Sequence, residues 1–111
     1  MELKSLKCKP CEGGIPELTA LEISKFKEQL HPAWNVIDNK RITKEFSFVN
    51  YKHTISFVNK IATIADEEGH HPVLHVYYNK IVVEIWTHAI NGLSENDFIL
   101  ASKIDGLKIL D

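Results

Sequence analysis

The sequence lacks the features that mark membrane, secreted and nucleic-acid-binding proteins. None of its apolar runs reaches the roughly 20 residues that a membrane-spanning helix needs, and none has the form of a signal peptide. The chain has 13 Lys and Arg residues against 15 Asp and Glu, so its net charge of −2 gives no bulk attraction to nucleic-acid phosphates. We therefore expect a cytoplasmic protein that binds neither a membrane nor, directly, a nucleic acid.

Cysteine is also scarce, and both cysteines, Cys8 and Cys11, lie in one short segment near the N-terminus. A structural zinc site needs four ligands, and no second cysteine pair follows. A thioredoxin-like pair would follow a strand and begin a helix, whereas Pro10 and the glycines at 13–14 indicate a loop. We expect residues 1–15 to form a flexible N-terminal arm with a reduced, non-catalytic pair. Redox sensitivity and weak metal binding are the alternatives.

The composition of the chain is that of one globular domain. Hydrophobic residues make up 44% of the 111 residues and charged residues 25%. This balance is typical of folded rather than disordered proteins, and the length allows a modest core. We assign residues 16–111 to a single domain.

Hydrophobic periodicity predicts seven elements in the order α-β-β-α-β-β-α. Apolar residues recur at helical spacing over 16–30, 50–68 and from Ser94 onwards, and Pro32 and Gly69 are plausible helix ends. Residues 41–48 alternate between apolar and polar side chains, as in a strand covered on one face, with Lys44 as a polar exception on the apolar side. The predicted fold is therefore an α+β domain with a four-stranded antiparallel sheet and three helices on one face.

The last two predicted strands form a β-hairpin, and its register carries the functional prediction. A two-residue turn at Asn79-Lys80 would pair Val76 with Val83 and continue to place His71 opposite His88. His70 precedes His71 at the end of the middle helix, so three imidazoles would converge at one end of the hairpin. Imidazole exchanges protons near neutral pH, which makes this group a candidate acid/base site.

Each residue of this group also has a structural interpretation. A histidine at a helix C-terminus is favoured by the helix dipole, and Asp97 completes a capping box with Ser94. Asp66 lies four residues before His70, on the same predicted helix face, where it could orient that ring. From spacing alone, catalysis, metal binding and a purely structural role remain open. The other histidines, His31, His53 and His75, are expected to be structural or exposed.

The sheet face not covered by helices is expected to be a contact surface. On the hairpin it would display Val73, Tyr77, Val82 and Trp86, with His75 opposite Glu84. We expect a homo-oligomer, a dimer or a tetramer, that uses this face or an adjoining sheet edge. Cover by a loop or by the N-terminal arm is the alternative.

A set of these residues closely resembles the signature of the pterin-4a-carbinolamine dehydratases. The resemblance rests on Asp66, then His70-His71-Pro72, then Tyr78, His88 and Asp97, and it extends over about residues 17–108. It implies a hydro-lyase that removes water from a 4a-hydroxytetrahydropterin and gives quinonoid dihydropterin, in the recycling of the tetrahydropterin cofactor. No metal, flavin or nucleotide is implied.

The resemblance also implies a role for each residue of the site. His70, His71 and His88 would be the catalytic histidines, with His70 and His88 as general acids toward the hydroxyl group and His71 mainly binding the pterin. Asp66, Pro72 and Trp34 would complete the substrate-binding site. Asp66 is one methylene shorter than the glutamate of many relatives, and the Cys8/Cys11 arm is not part of the pattern.

Three other functions are compatible with the same residues. The site could act on another pterin, from molybdenum-cofactor or folate metabolism. The chain could be a non-enzymatic dimerisation cofactor of a transcription factor, as some members of this family are. It could also bind a metal through the three histidines of the candidate site.

Overall fold

The computed structural model describes residues 3–9 and 16–108 and confirms the predicted α+β fold and element order. The helices and strands are α1 (Ala20–Lys27), β1 (Asn35–Ile37), β2 (Arg41–Ser47), α2 (Tyr51–Glu68), β3 (Val73–Val76), β4 (Lys80–Ile85) and α3 (Glu95–Asp105). Short 3₁₀ helices also span Leu3–Ser5 and His88–Ile90. None of the helices described is both long and apolar enough to cross a membrane.

The four strands form one antiparallel sheet in the order β1-β2-β4-β3. The central strands β2 and β4 alternate between buried and more exposed side chains, and Ile42 faces Ile85 across them. The buried side of the sheet meets α2 and α3 in the core. The largest fully buried aliphatic and aromatic side chains there include Trp34, Ile42, Phe57, Ile61, Ile81, Ile85, Phe98, Leu100 and Ile104.

Lys44, the polar residue on the apolar side of β2, is accommodated by a buried ion pair. Its side chain is 10% exposed, and Nζ lies 2.7 Å from Oδ1 of Asp105 at the end of α3. The ammonium group also lies 4.5 Å from the ring centroid of Phe46. Because a buried charge is tolerated when it is paired, Lys44 can occupy a buried position without disturbing the alternation of β2.

Local sequence signals set the helix ends that matter for the site. Asn50 caps α2 by accepting a hydrogen bond from the His53 backbone, and Gly69 ends the helix in the left-handed region at φ 66°. A residue without a Cβ adopts this conformation at no steric cost, which allows the chain to turn sharply before His70. α3 begins with a capping box between Ser94 and Asp97, as the sequence predicts.

The hairpin forms, but its predicted register is wrong by two residues. Val76 faces Ile81 rather than Val83, and the Tyr77 N–H donates to the Lys80 carbonyl at 2.9 Å. The turn therefore lies at 78–79 rather than 79–80. Because side chains alternate with a period of two, a slip of two residues leaves every side chain on its predicted face.

The slip does remove the direct pairing of His71 with His88. β3 begins only at Val73, β4 ends at Ile85, and His88 lies in the following 3₁₀ helix. The convergence of the histidines must therefore come from the segments beyond the paired strands.

The sheet face away from the helices carries charged as well as apolar side chains. Arg41 Nη1 lies 3.0 Å from Oε2 of Glu84, and His75 Nε2 lies 3.2 Å from Oε1 of the same residue. Glu84 directly faces Val73, so its contact with His75 is diagonal rather than the predicted opposite pair. The homo-oligomer expected to use this face stays a prediction.

Residues 3–9, which belong to the predicted flexible arm, lie against the helices instead of the open sheet face. Leu3 is 2% exposed, and the Cys8 N–H donates to Oε1 of Glu68 at 2.8 Å. The Lys9 N–H donates to Oδ1 of Asn96 at 2.9 Å, and Nδ2 of Asn96 donates to the Lys9 carbonyl at 2.7 Å. Cys11 and the rest of residues 10–15 lie outside the described residues.

The pKa of Glu68 reflects this contact. Burial alone raises the pKa of its carboxyl group, but the hydrogen bond from the Cys8 backbone and the positive charge of Lys103 lower it. The net result is a pKa below the ordinary value of 4.5. Glu68 is thus held as a carboxylate that joins the end of α2 to the N-terminal segment.

Candidate active site

His70 is buried and held by a carboxylate from α3. Its exposure is 8%, and Nε2 lies 2.6 Å from Oδ1 of Asp97, which is fully buried. An ionised carboxylate only accepts hydrogen bonds, so Nε2 carries the shared hydrogen and Nδ1 is the ring nitrogen left for other chemistry. The buried aspartate thus fixes the orientation and the tautomer of the His70 ring, as buried aspartates do beside catalytic histidines.

The second oxygen of Asp97 is fixed by its neighbours. Oδ2 accepts hydrogen bonds from the Ser94 N–H at 2.8 Å and from the Thr87 hydroxyl at 2.9 Å. The Thr87 and Ser94 hydroxyls also lie 2.7 Å apart. One carboxylate therefore caps α3, ties it to the segment after β4 and orients His70, so its structural and site roles coexist.

Asp66 pairs with His71 rather than with His70, which corrects the sequence prediction. Its Oδ1 lies 2.9 Å from Nε2 of His71, and both side chains are largely exposed. The prediction assumed helical geometry over four residues, but the left-handed turn at Gly69 breaks that geometry before His70.

His88 is held in a third way, by stacking. Its ring centroid lies 4.3 Å from that of Trp86, and the two ring planes differ by 13°. Trp86 directly follows β4 and packs partly against the core, whereas His88 is exposed. The stacked indole therefore restricts the orientation of an imidazole that is otherwise exposed.

The three histidines line one open cleft of ≈ 280 Å³, close to the lower end of the range for small-molecule sites. Its walls are Gly69, His70, His71, Trp86, Thr87, His88 and Ala89. The predicted convergence of His70, His71 and His88 is therefore present, although the register that was used to predict it is not.

Three predicted substrate-binding residues, Asp66, Pro72 and Trp34, are not part of this cleft wall, and Asp66 reaches it only through its contact with His71. Pro72 follows His71 and is partly buried, and Trp34 is fully buried in the core. The Trp34 Nε1–H donates to the Asp105 carboxylate at 3.0 Å, which gives this indole a structural role at the other end of α3. The tryptophan of the cleft is Trp86, which the sequence pattern places only on the open sheet face.

Metal binding was one of the functions left open by the sequence. Among residues 3–9 and 16–108, no three His, Cys, Asp or Glu side chains are placed to hold one metal ion.

Comparison with known proteins gives the family. The profile of the Pterin 4 alpha carbinolamine dehydratase family matches residues 16–107. The chain belongs to this family. A provisionally named pterin-4-alpha-carbinolamine dehydratase of Nitrosomonas eutropha is 51% identical over 108 residues, which is 97% of this chain and 95% of that protein. A provisionally named counterpart of Nitrosospira multiformis is 54% identical over 106 residues, or 96% and 92% of the two chains.

Solved structures agree with this assignment. The crystal structure of a transcriptional coactivator/pterin dehydratase from Brucella melitensis superposes with a TM-score of 0.77 at 29% identity, and covers 86% of this chain and 100% of its own. A pterin dehydratase-like RuBisCO assembly factor of the α-carboxysome shares the fold, with a TM-score of 0.59 at 22% identity over 68% of this chain and 89% of its own. Family membership thus extends over the whole domain that carries the histidine cleft.

Proposed function

We propose that this pterin-4a-carbinolamine dehydratase family member is itself a 4a-hydroxytetrahydropterin dehydratase, which forms quinonoid dihydropterin in the recycling of the tetrahydropterin cofactor. The observation that carries the proposal is the cleft in which three imidazoles meet, two of them paired with carboxylates. Such a site holds proton donors and acceptors in fixed positions without further groups. The pterin would be the substrate, and no cofactor takes part in the proposed reaction.

The proposed chemistry is a water elimination that needs one proton delivered and one removed. The C4a–O bond breaks as an imidazolium of the cleft protonates the leaving oxygen. N5 loses its proton to water or to a neutral imidazole of the cleft, and the electron pair left on N5 forms the C4a=N5 double bond. Water and quinonoid dihydropterin leave, so no electrons are gained or lost overall. A positioned acid or base accelerates such a step by about 10²–10⁴-fold per group.

In this proposal the histidines divide the work according to their surroundings. His70, whose Nε2 is engaged by Asp97, would deliver a proton to the hydroxyl from Nδ1. His88 would act as a second acid at the opposite side of the cleft. His71 would bind and orient the pterin with its partner Asp66, and Pro72 would fix the backbone beside them.

The test is a stopped-flow measurement of water loss from a 4a-hydroxytetrahydropterin. We expect the wild-type protein to accelerate dehydration in the presence of a chelator, and His70→Ala combined with His88→Ala to abolish the acceleration. His75→Ala, which removes an exposed imidazole from β3, is the matched control and should retain wild-type rates. Circular dichroism would verify the fold of each variant. Wild-type rates in the double variant would remove both histidines from the mechanism.

A protein-binding role is the second candidate, because the Brucella melitensis relative carries both roles in its name. In that case the cleft histidines could be replaced without effect on partner binding. Dehydration of a different pterin is the third candidate, and the same assay with pterins that differ in their side chain separates it from the first.

A further inference from the structure

The three cleft histidines are oriented by different kinds of partner. Carboxylates hold His70 and His71 through Nε2, at 2.6 Å and 2.9 Å respectively. No hydrogen bond from the described part of the chain reaches the His88 ring, and its close side-chain contact is the stacked indole of Trp86. Within the described residues, stacking against the Trp86 indole is therefore the contact that can fix the plane of the His88 ring.

Trp86 is itself held on several sides. Its backbone follows the last paired residue of β4, and its indole packs partly against the core. The Arg41 guanidinium lies 5.5 Å from the ring centroid, and Arg41 is in turn paired with Glu84 on β4. A cation over an indole is attracted to it, so the ring has contacts besides the one to His88.

We propose that Trp86 is a positioning residue that fixes the plane of the His88 imidazole for proton transfer. This inference rests on the proposed dehydratase function. Closely spaced aromatic rings prefer defined stacked arrangements, so the indole restricts the orientation of the imidazole. Stacking restricts the ring plane but occupies neither nitrogen, unlike the carboxylate that engages one nitrogen of His70.

This difference has a chemical consequence for an acid that must act repeatedly. His88 is exposed, so one ring nitrogen can face the substrate while the other takes a proton from water. His70 is 8% exposed with Nε2 engaged, and its route to solvent is more restricted. Trp86 would thus give His88 a fixed direction without closing its path for reprotonation.

A double-mutant cycle tests whether Trp86 acts through His88. Misplacing a catalytic group by about 1 Å can cost as much as 10²-fold, so Trp86→Leu should lower kcat by about 10–100-fold and change KM by less than about threefold. Trp86→Phe keeps a stacking ring and should restore most of kcat. Val82→Ala, on the same face of β4 but away from the cleft, is the control for general packing losses.

The decisive comparison is made in the His88→Ala background. If Trp86 acts through His88, Trp86→Leu has little further effect there, because coupled residues are not additive. An equal loss in both backgrounds, or a raised KM with unchanged kcat, would overturn the inference and make Trp86 a substrate wall or a folding residue.

Proton NMR of the His88 ring gives a readout that does not depend on turnover. The indole ring current should shift the His88 ring protons upfield in the wild type and in Val82→Ala, and Trp86→Leu should abolish the shift. Unshifted protons in the wild type would refute the stack and with it the inference. An inactive wild type with shifted protons would refute the proposed function, and hence the catalytic role of Trp86, but not the stack.

Discussion

Replacing Asp97 by asparagine perturbs the most constrained group of the site with almost no change in shape. Its two oxygens accept hydrogen bonds from three groups: the His70 ring, the Thr87 hydroxyl and the Ser94 N–H. An amide keeps only one oxygen. Whichever way it is placed, its NH₂ group must face a donor, unless His70 changes tautomer and accepts through Nε2.

The expected loss of stability follows from the burial of this carboxylate. Asp97 is 0% exposed, so water does not replace a lost partner. A hydrogen bond to a charged group contributes about 1.5–3 kcal/mol, and an unsatisfied buried donor costs about 1–3 kcal/mol. We expect Asp97→Asn to lower the free energy of unfolding by about 2–3 kcal/mol, which corresponds to a fall in Tm of roughly 10 °C for a domain of this size.

The activity of this variant should also fall. If His70 changes tautomer, its Nδ1 carries the hydrogen and its orientation is no longer fixed by an ionised partner. We expect a loss of about 10²-fold or more in kcat, measured well below the Tm of the variant, as for removal of a positioned acid. Nitrogen NMR shifts of the His70 ring would report the tautomer directly.

Asp66→Asn is the matched control, because it makes the same change at an exposed carboxylate–histidine pair. An exposed pair contributes about 0–1 kcal/mol, so the Tm of this variant should stay close to that of the wild type. If Asp97→Asn matched the wild type in Tm, in kcat and in the His70 nitrogen shifts, the orienting role of Asp97 would be refuted.

Three further predictions test other parts of the domain. The lowered pKa of Glu68 means that its carboxylate stabilises the fold above its ordinary pKa of 4.5 and loses this effect as the pH falls through the lower folded value. Glu68→Gln should therefore lower the urea midpoint at neutral pH, and this effect should shrink as the pH falls below 4.5; an effect that stays the same down to strongly acid pH would contradict this account. Lys44→Met should cost about 1–3 kcal/mol in urea unfolding, since it leaves the Asp105 carboxylate without its charged partner, and an unchanged midpoint would show that the pair contributes nothing. Light scattering should give the mass of a dimer or tetramer, and Val76→Lys at the edge strand β3 should reduce it; a monomeric wild type would end the oligomer prediction.

Most of the fold could be predicted from the sequence because its local signals agree with one another. The alternation in β2, the stop at Gly69 and the capping box at Ser94 each act within a few residues, and the structure contains all three. The hairpin register was less determined, because two turn positions one residue apart both place the apolar side chains on the buried face. Only the turn geometry distinguishes them, and no glycine marks the turn.

The partners of the histidines could not be predicted from spacing. Asp66 lies four residues before His70, but the backbone leaves the helix between them and places His71 beside that carboxylate instead. The true partner of His70 comes from α3, 27 residues later in the chain. Sequence showed Asp97 as a cap and as part of a family signature, and nothing in its spacing connected it to His70.

Asp97 both caps α3 and orients His70, which explains why the sequence alone could not separate its structural role from its role in the site. A cap that served only the helix would need one oxygen and could face solvent, whereas this carboxylate is fully buried and uses both oxygens. The bonds that orient His70 are therefore among those that hold α3 to the segment after β4. We therefore expect substitutions at Asp97 to change stability and activity together, and those at Asp66 to leave stability nearly unchanged. This contrast distinguishes the buried Asp97–His70 pair, which is part of the core, from the exposed Asp66–His71 pair on the surface.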